Sequence, residues 1–150
     1  MAHQITRTII VKASPEEAFK AWANFENFPM FMKHIRQVRS FGDGVSHWEV
    51  AGPLGKTLEW DAEITRLEEN KRIGWSTKDR GGDLTTSGQV TFNNLPQGET
   101  EVTVLMQYEP KAGLAGDIVA QLLGNPEKKL EEDLSNFKSY IEGKMQRTAS

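Results

Sequence analysis

Residues 56–67 read KTLEWDAEITRL, and their alternation decides the fold class. Apolar and polar side chains take turns over eight positions. One face carries Leu58, Trp60, Ala62 and Ile64, and the other carries Glu59, Asp61, Glu63 and Thr65. A period of two is typical of a β-strand with one buried and one solvated face. The stretch therefore predicts a sheet whose apolar face another element must cover.

The same period continues through most of the chain between His34 and Pro110. Inward positions on the neighbouring segments are Ile73, Trp75 and Thr77, then Gly88, Val90 and Phe92, then Val102, Val104, Met106 and Tyr108. The segments are separated by turn-like sequences, which are GDG at 42, GPLG at 52, EENK at 68, RGGD at 80 and LPQGE at 95. Connections this short form hairpins, so we predict about six antiparallel strands in this region.

An additional strand and a helix precede this region. ITRTIIVKA alternates and is rich in β-branched residues, which predicts a first strand over about Ile5 to Lys12. In ASPEEAFKAWAN, Ser14 is a suitable N-cap, Pro15 fits the first helical position, and Glu17 completes a capping box. The sequence therefore predicts a helix directly after the first strand.

An aromatic-rich stretch, NFENFPMFMKHIRQV, occupies residues 24–38. Asn24 or Asn27 can cap a short helix that runs to about Met32. An Asn27 cap would place Pro29 in the first turn, where its missing N–H costs little. The stretch is too short for a membrane span and is broken by the proline.

Two interpretations of residues Phe25–Met32, called here the Phe-rich segment, stay open. As a mobile lid over a cavity, it would bring Phe28, Phe31 and Met32 into contact with a ligand. As a static plug, the same side chains would fill one end of the core. We favour the lid, which predicts higher mobility here than in the strands.

The end of the chain returns to helical spacing. LAGDIVAQLLG is apolar, Asn125 and Pro126 interrupt it, and EKKLEEDLSNFKSYIEGK is amphipathic. Its apolar stripe consists of Leu130, Leu134, Phe137 and Ile141. We predict a long C-terminal helix, kinked or broken at Gly124 to Pro126, which covers the apolar face of the sheet.

Composition limits the class of protein. The 150 residues, with no cysteine and a net charge of −3, fit one domain over residues 1–150. A net charge of −3 does not indicate the basic surface that binds nucleic acid, and no apolar run is long enough to span a membrane. The N-terminus lacks the layout of a signal peptide. We therefore expect a cytoplasmic protein, monomeric or weakly homodimeric.

The chain resembles the START/Bet v 1-like (SRPBCC) superfamily, in its polyketide cyclase/dehydrase branch. The motifs that carry the resemblance are SPEEAF at 14–19 followed by Trp22, the Phe-rich segment with Pro29, WEVAGPLG at 48–55, EWDAEI at 59–64, IGWST at 73–77, GQVTF at 88–92, TEVTV at 100–104, Tyr108 with Pro110, and the closing LEEDLSNFKSYIE. The fold class expected is α+β, the helix-grip fold: a curved antiparallel sheet of about seven strands wrapped around a long C-terminal helix, with two short helices between strands 1 and 2. The resemblance further implies a hydrophobic cavity between sheet and helix, used in relatives for lipids, quinones, polyketides or other apolar molecules.

Candidate ligand-binding residues are apolar side chains on the inward strand faces, on the Phe-rich segment and after Gly113. They are Phe28, Phe31, Met32, Trp48, Trp60, Trp75, Phe92, Met106, Tyr108, Ile118 and Leu122. The tryptophans also fit plain core packing. The two interpretations are compatible, because a pocket wall is a core that has been left unfilled.

Three arginines are candidates for polar contacts. Arg7 falls on the inward phase of the first strand, where a charge is costly without a partner. Arg36 and Arg39 follow the Phe-rich segment. An arginine that points inward can bind a ligand oxygen, but we expect it to pair with an internal acid or to reach the rim.

The acids and histidines of the strands point to no catalytic set. The alternation places Glu59, Asp61 and Glu63 on the solvated face, where Arg66, Lys71 or Lys78 can pair with them. His34 and His47 approach each other if their strands pair, but they also fit ordinary strand positions. No nucleophile elbow or metal-ligand spacing is present in the sequence, so we expect no metal and no cofactor.

Three functions follow as hypotheses. The first is non-catalytic binding of a small hydrophobic or amphipathic molecule (lipid, quinone or polyketide-like), which requires a cavity on the order of 300 Å³. The second, implied by the resemblance, is a polyketide aromatase/cyclase or dehydrase, with Arg36, Arg39, His34 and Tyr108 as candidates. The third is an interaction module for a membrane or partner protein, through an exposed Phe-rich patch. The ligand itself is not named by the sequence.

Overall fold

The computed structural model describes residues 3–32, 35–51, 57–78, 84–110 and 126–149. Within them, seven strands form one antiparallel sheet in the order β1-β7-β6-β5-β4-β3-β2. The strands are β1 His3–Val11, β2 Ile35–Gly42, β3 Val45–Ala51, β4 Thr57–Glu68, β5 Arg72–Thr77, β6 Leu84–Leu95 and β7 Glu99–Pro110. The long β6–β7 and β1–β7 ladders and the hairpins β2–β3, β3–β4, β4–β5 and β5–β6 confirm the antiparallel prediction.

Two α-helices accompany the sheet: α1 is Pro15–Ala23 and α2 is Pro126–Ala149. Ser14 caps α1 as predicted, because its Oγ accepts a hydrogen bond of 3.2 Å from the Glu17 N–H. No helix among the described residues is long and apolar enough to cross a membrane. The predicted kink before Pro126 falls largely outside the described residues.

The Phe-rich segment forms a 3-10 helix at Phe25–Met30. The Asn27 N–H donates to the Asn24 carbonyl over 3.1 Å, so the turn begins at Asn24. Of the two capping residues that the sequence offers, Asn24 takes the N-cap position, although its side chain makes no capping hydrogen bond. The alternative, in which Asn27 is the cap and Pro29 lies in the first turn, is wrong. Pro29 lies near the end of the helix, which is only six residues long and ends directly after it.

Three of the predicted turns have left-handed backbone conformations. Asp43, Asn70 and Gln97 have φ angles of 54°, 63° and 68°. Asparagine and aspartate tolerate this region better than most residues, which fits the GDG and EENK turns. The predicted GPLG and RGGD turns lie outside the described residues.

The core lies between the inner face of the sheet and the two helices. The predicted stripe of α2 is buried along its length, at Leu130, Leu134, Phe137 and Ile141. Phe137 is fully buried and packs on Trp22 of α1, with ring centroids 5.4 Å apart. These contacts confirm that the C-terminal helix covers the apolar face, and they establish the α+β helix-grip fold.

Because Gly88 has no side chain, the Trp75 ring has room on the inner face of the sheet. A Cβ on Gly88 would lie 2.5 Å from the Leu105 carbonyl oxygen and 2.7 Å from the Trp75 ring. Both separations are shorter than real Cβ atoms show, and the carbonyl belongs to the backbone, so the strands would have to shift.

We therefore expect Gly88→Ala to lower the free energy of unfolding by roughly 1–3 kcal/mol, the usual cost of overpacking. Gly143→Ala is the matched control, because nothing lies within 4 Å of its added methyl group. This change within α2 should instead stabilise the protein by roughly 0.5–1 kcal/mol. Urea unfolding of the two variants measures both effects, and equal stability of the two would contradict the packing described here.

Candidate ligand cavity

A cavity of about 150 Å³ lies between the inner face of the sheet, the Phe-rich segment and the first turns of α2. Its wall is mostly apolar. The strands contribute Ile5, Trp48, Val50, Ala51, Leu58, Trp60, Ala62, Trp75, Val104 and Met106, and the two α-helices and the Phe-rich segment contribute Trp22, Phe25, Phe28, Met32 and Leu130. Thr86, Lys129 and Asp133 complete the lining. This volume is about half of the roughly 300 Å³ expected for a ligand site. Aromatic rings occupy much of the space between the sheet and the helix.

The cavity brings together a large part of the predicted ligand-binding set. Its wall includes Phe28, Met32, Trp48, Trp60, Trp75 and Met106. Phe31 and Phe92 are buried in the core instead, where Phe31 packs on Phe137 and Phe92 packs on Phe19. The side chain of Tyr108 and the whole of Ile118 and Leu122 lie outside the described part of the chain.

Trp48 and Trp60 form a flat section of the wall. Their rings are parallel within 5°, with centroids 6.2 Å apart, because the two residues are directly opposite on β3 and β4. Phe25 and Phe28 close one side of the Trp48 ring, at centroid distances of 5.6 and 5.5 Å. The Trp48 Nε1–H donates to the Ser46 Oγ over 2.9 Å, so this indole already has a partner.

The Phe-rich segment has the packing of a plug. Phe28 is in ring contact with both Trp22 and Phe31, at 5.1 and 5.4 Å, and all three side chains are buried. Met30 alone among the apolar residues of the segment is largely exposed, at 68%. The lid interpretation concerns motion, which this arrangement does not test, and it stays a prediction.

The described part of the cavity wall contains one acid, Asp133, which was not among the predicted ligand-binding residues. Its side chain belongs to α2 and the residue is only 7% exposed. Burial raises the pKa of its carboxyl group to about 7, the neighbouring charge of Glu132 adds to the rise, and Lys129 opposes it. The signal was the spacing, because Asp133 lies three residues after Leu130 and four before Phe137, within the apolar stripe.

The ring of Trp22 also lines the cavity, but its polar atom is enclosed by protein atoms. This residue is 2% exposed, and its buried Nε1 has no hydrogen-bond partner among the described residues. Thr86, by contrast, is satisfied, since its Oγ1 donates to the Gln107 carbonyl over 3.1 Å. Few buried donors in proteins lack a partner, so the Trp22 N–H stands out.

The predicted arginines lie outside the cavity. Arg7 pairs with Glu127 and Glu131 of α2, over 2.8 and 3.0 Å, at a partly exposed position. Of the two expected alternatives, Arg7 therefore reaches the rim, and its partners are exposed acids rather than an internal one. Arg36 and Arg39 of β2 are exposed, so neither faces the cavity.

The outer face of the sheet carries the predicted row of acids. His47 lies across from them, with Nδ1 2.6 Å from Asp61 and Nε2 3.1 Å from Glu59. The Asp61 carboxylate, more than any other group, raises the pKa of the imidazole. His47, Glu49 and Glu59 also group closely enough to hold a metal ion, but both imidazole nitrogens already have carboxylate partners. His34 lies outside the described residues.

The family of this chain follows from a match over most of its length. Residues 11–135 match the family described as polyketide cyclase / dehydrase and lipid transport, and the chain belongs to this family. An uncharacterised 17.2 kDa protein of Streptomyces lincolnensis is 32% identical over 145 residues, which cover 97% of this chain and 93% of the relative.

Solved structures agree on the fold. A START superfamily protein from Mycobacterium smegmatis has a TM-score of 0.72 at 20% identity, with 94% of this chain and 98% of that chain covered. The Zhui aromatase/cyclase from Streptomyces sp. R1128 has a TM-score of 0.70 at 16% identity, with 100% of this chain and 97% of that chain covered. The family match confirms the resemblance to the polyketide cyclase/dehydrase branch, and the solved structures confirm the expected fold.

The raised pKa of Asp133 makes stability depend on pH. Between about pH 4 and pH 7 the folded state holds a proton that the unfolded chain has lost. The free energy of unfolding should therefore fall as pH rises through this window. Asp133→Asn removes this dependence, so its stability relative to wild type should rise by at most about 4 kcal/mol between pH 4 and pH 8.

Urea unfolding at a series of pH values measures this difference. His47 also has a raised pKa and also loses stabilisation as pH rises, so the comparison is repeated in the His47→Gln background. The difference between Asp133→Asn and its parent should persist there. A difference that does not change with pH would show that folding does not raise the pKa of this carboxyl group.

Proposed function

We propose that this protein binds a small hydrophobic or amphipathic molecule in the cavity between the sheet and α2. The observation that carries the proposal is the wall itself, which is aromatic and aliphatic apart from Thr86, Lys129 and Asp133. Ligand sites are typically apolar with a few placed polar groups. The proposal includes one domain over residues 1–150 that acts in the cytoplasm, as a monomer or weak homodimer.

The cavity volume limits how much of a ligand is enclosed. An apolar cavity of about 150 Å³ in another protein is known to hold a benzene molecule. The cavity here is of similar size, so we propose that it takes one ring or a short chain segment of a lipid, quinone or polyketide-like ligand. A larger ligand would have to displace side chains such as Phe28 or Met32.

The test fills the cavity without changing the fold. Ala62→Leu adds an isobutyl group at a buried position of the wall and should weaken binding of indane, a bicyclic hydrocarbon, by more than about tenfold. Ala23→Leu makes the same change at an exposed position of α1 and is the matched control. Titration calorimetry measures both, and extraction of the purified protein with mass spectrometry shows whether an apolar molecule accompanies it.

Retention of wild-type indane affinity by Ala62→Leu would exclude this cavity as the binding site. Absence of indane binding by the wild type would contradict the proposal for ring-sized ligands. Circular dichroism of both variants shows that the fold is intact.

A second candidate function is an aromatase/cyclase or dehydrase acting on a polyketide-like substrate. The observation that favours it is Asp133, because a carboxyl group with a pKa of about 7 can exchange protons with a substrate at neutral pH. The Zhui aromatase/cyclase shares the fold. The exposure of Arg36 and Arg39 removes the support for their roles in such a reaction.

This candidate predicts turnover that depends on Asp133. Conversion of a short aromatic β-diketone or β-hydroxyketone should be detectable by chromatography with the wild type. It should fall at least about 100-fold in Asp133→Asn, the usual contribution of a general acid or base. Turnover by both proteins at the same rate would exclude this role, and no turnover would leave binding as the function.

The third candidate, an interaction module, loses the feature that motivated it. The Phe-rich segment is buried rather than exposed, apart from Met30. The segment therefore offers no aromatic patch to a membrane or a partner protein.

A further inference from the structure

The outer face of the sheet brings a histidine and two carboxylates together. His47 and Glu49 belong to β3, and Glu59 belongs to β4. Within the described part of the chain, one nitrogen of His47 and one carboxylate oxygen from each acid all lie within 4.8 Å of one another. Imidazole nitrogen and carboxylate oxygen bind Zn²⁺ at about 2.0–2.2 Å, so ligand atoms around one ion are at most about 4.4 Å apart. The three side chains are partly exposed, and a small rotation of them closes the remaining gap.

The pairing of β3 with β4 creates this group. Glu49 is directly opposite Glu59, and His47 is directly opposite Asp61. Like charges directly opposite each other on neighbouring strands destabilise a sheet, and a cation between the two glutamates would remove their repulsion. No spacing in the sequence indicated the group, because its members meet only when the two strands pair.

Asp61 fixes the orientation of the imidazole. Its Oδ1 lies 2.6 Å from Nδ1 of His47, whereas Nε2 lies 3.1 Å from Oε1 of Glu59. A histidine that binds a metal almost always donates its other ring N–H to a carboxylate, a carbonyl or a water, which fixes the tautomer and the ring orientation. Asp61 can hold the proton on Nδ1 in this way. The Nε2 lone pair is then available to an ion between His47 and Glu59, so the carboxylate partner of Nε2 is itself a ligand.

We propose that His47 Nε2, Glu49 and Glu59 bind one divalent transition-metal ion, with Asp61 as the outer partner of the imidazole. Imidazole nitrogen suits Zn²⁺ and other first-row transition ions, whereas Ca²⁺ and Mg²⁺ take oxygen ligands. Because the ligands are partly exposed, water completes the coordination of the ion.

The proposed ion would lie directly behind the flat section of the cavity wall. Successive side chains of a strand point to opposite faces, so Trp48 and Trp60 alternate with the metal ligands and face the cavity. An ion that joins β3 to β4 at these positions would strengthen the strand pairing that places the two indole rings side by side. The inference goes beyond the proposed function and does not depend on a ligand in the cavity.

Titration of the untagged protein with Zn²⁺ tests the site. Calorimetry should show one strong site in the wild type. His47→Gln and Glu49→Gln each remove a ligand, and they should weaken binding at least as much as the loss of an outer partner does, about ten- to 100-fold. Asp61→Asn should fall within that range.

Glu63→Gln is the matched control for Glu49→Gln. It removes the same charge from the same face of the sheet, and Glu63 lies outside the proposed group. Because salt screens exposed charges that are about 10 Å apart, the control should change the Zn²⁺ affinity less than about twofold at physiological ionic strength. Circular dichroism shows that each variant keeps the fold.

Nitrogen NMR of the wild type, labelled with nitrogen-15 histidine, identifies the bound atom without any substitution. Zn²⁺ should shift the Nε2 resonance of His47 and leave a proton on Nδ1, where Asp61 accepts it. Mg²⁺ at the same concentration should shift neither nitrogen.

Three results would overturn the inference. They are absence of Zn²⁺ binding by the wild type, wild-type affinity in His47→Gln, and equal losses in Glu49→Gln and Glu63→Gln. The last result would attribute the affinity to the overall negative charge of this face. Indane binding in the cavity is measured separately, so either proposal can fail while the other stands.

Discussion

The contact of Phe137 with Trp22 and Phe31 is the constraint on which the interior depends. Phe137 is fully buried, and its ring lies 5.4 Å from each of the other two. It thereby joins α2 to α1 and the Phe-rich segment, two neighbouring elements that lie far from α2 in sequence. Because large rings fill the space there, the remaining space opens toward the start of α2, where the side chains are Lys129, Leu130 and Asp133.

The same constraint explains how an acid is held in an apolar wall. Asp133 is one turn before Phe137, and the helix cannot rotate it toward water without withdrawing Phe137 from the core. The carboxyl group responds by keeping its proton to higher pH. The acids of the outer face differ, since the side chains of Glu59 and Asp61 are 53% and 38% exposed beside His47. Local rules of helix patterning are broken at Asp133, and such positions are often functional.

The sheet and its cover could be predicted because they depend on periodicity. Alternation placed Trp48, Trp60 and Trp75 on one face of consecutive strands, and helical spacing identified the stripe from Leu130 to Ile141. In both cases the backbone geometry sets the period at which residues share a face, so the order of apolar and polar residues in the sequence shows it directly. The 3-10 conformation around Pro29 was not predictable in this way, because a six-residue segment carries too few positions to distinguish it from an α-helix.

The polar residues and the volume of the cavity could not be predicted from periodicity. Asp133 was overlooked because a polar residue in a stripe is normally assigned to the solvated edge of a helix. The missing partner of Trp22 Nε1 and the volume of the cavity depend on side-chain rotamers, which no periodicity specifies. Six of the residues that line the wall were predicted, whereas the polar chemistry and the size of the space were not.

The two ends of α2 are attached to β1 by different forces. Near its start, Arg7 bridges to the exposed carboxylates of Glu127 and Glu131, and further along, the Glu142 carboxylate accepts a hydrogen bond from the Lys12 N–H beside the fully buried Ile141. Dissolved salt screens exposed charges and leaves buried hydrocarbon contacts intact. Ionic strength therefore acts more strongly on the start of the helix, which borders the cavity, than on its later part, where Ile141 is buried and the Glu142 side chain, paired with Lys138, is only 22% exposed.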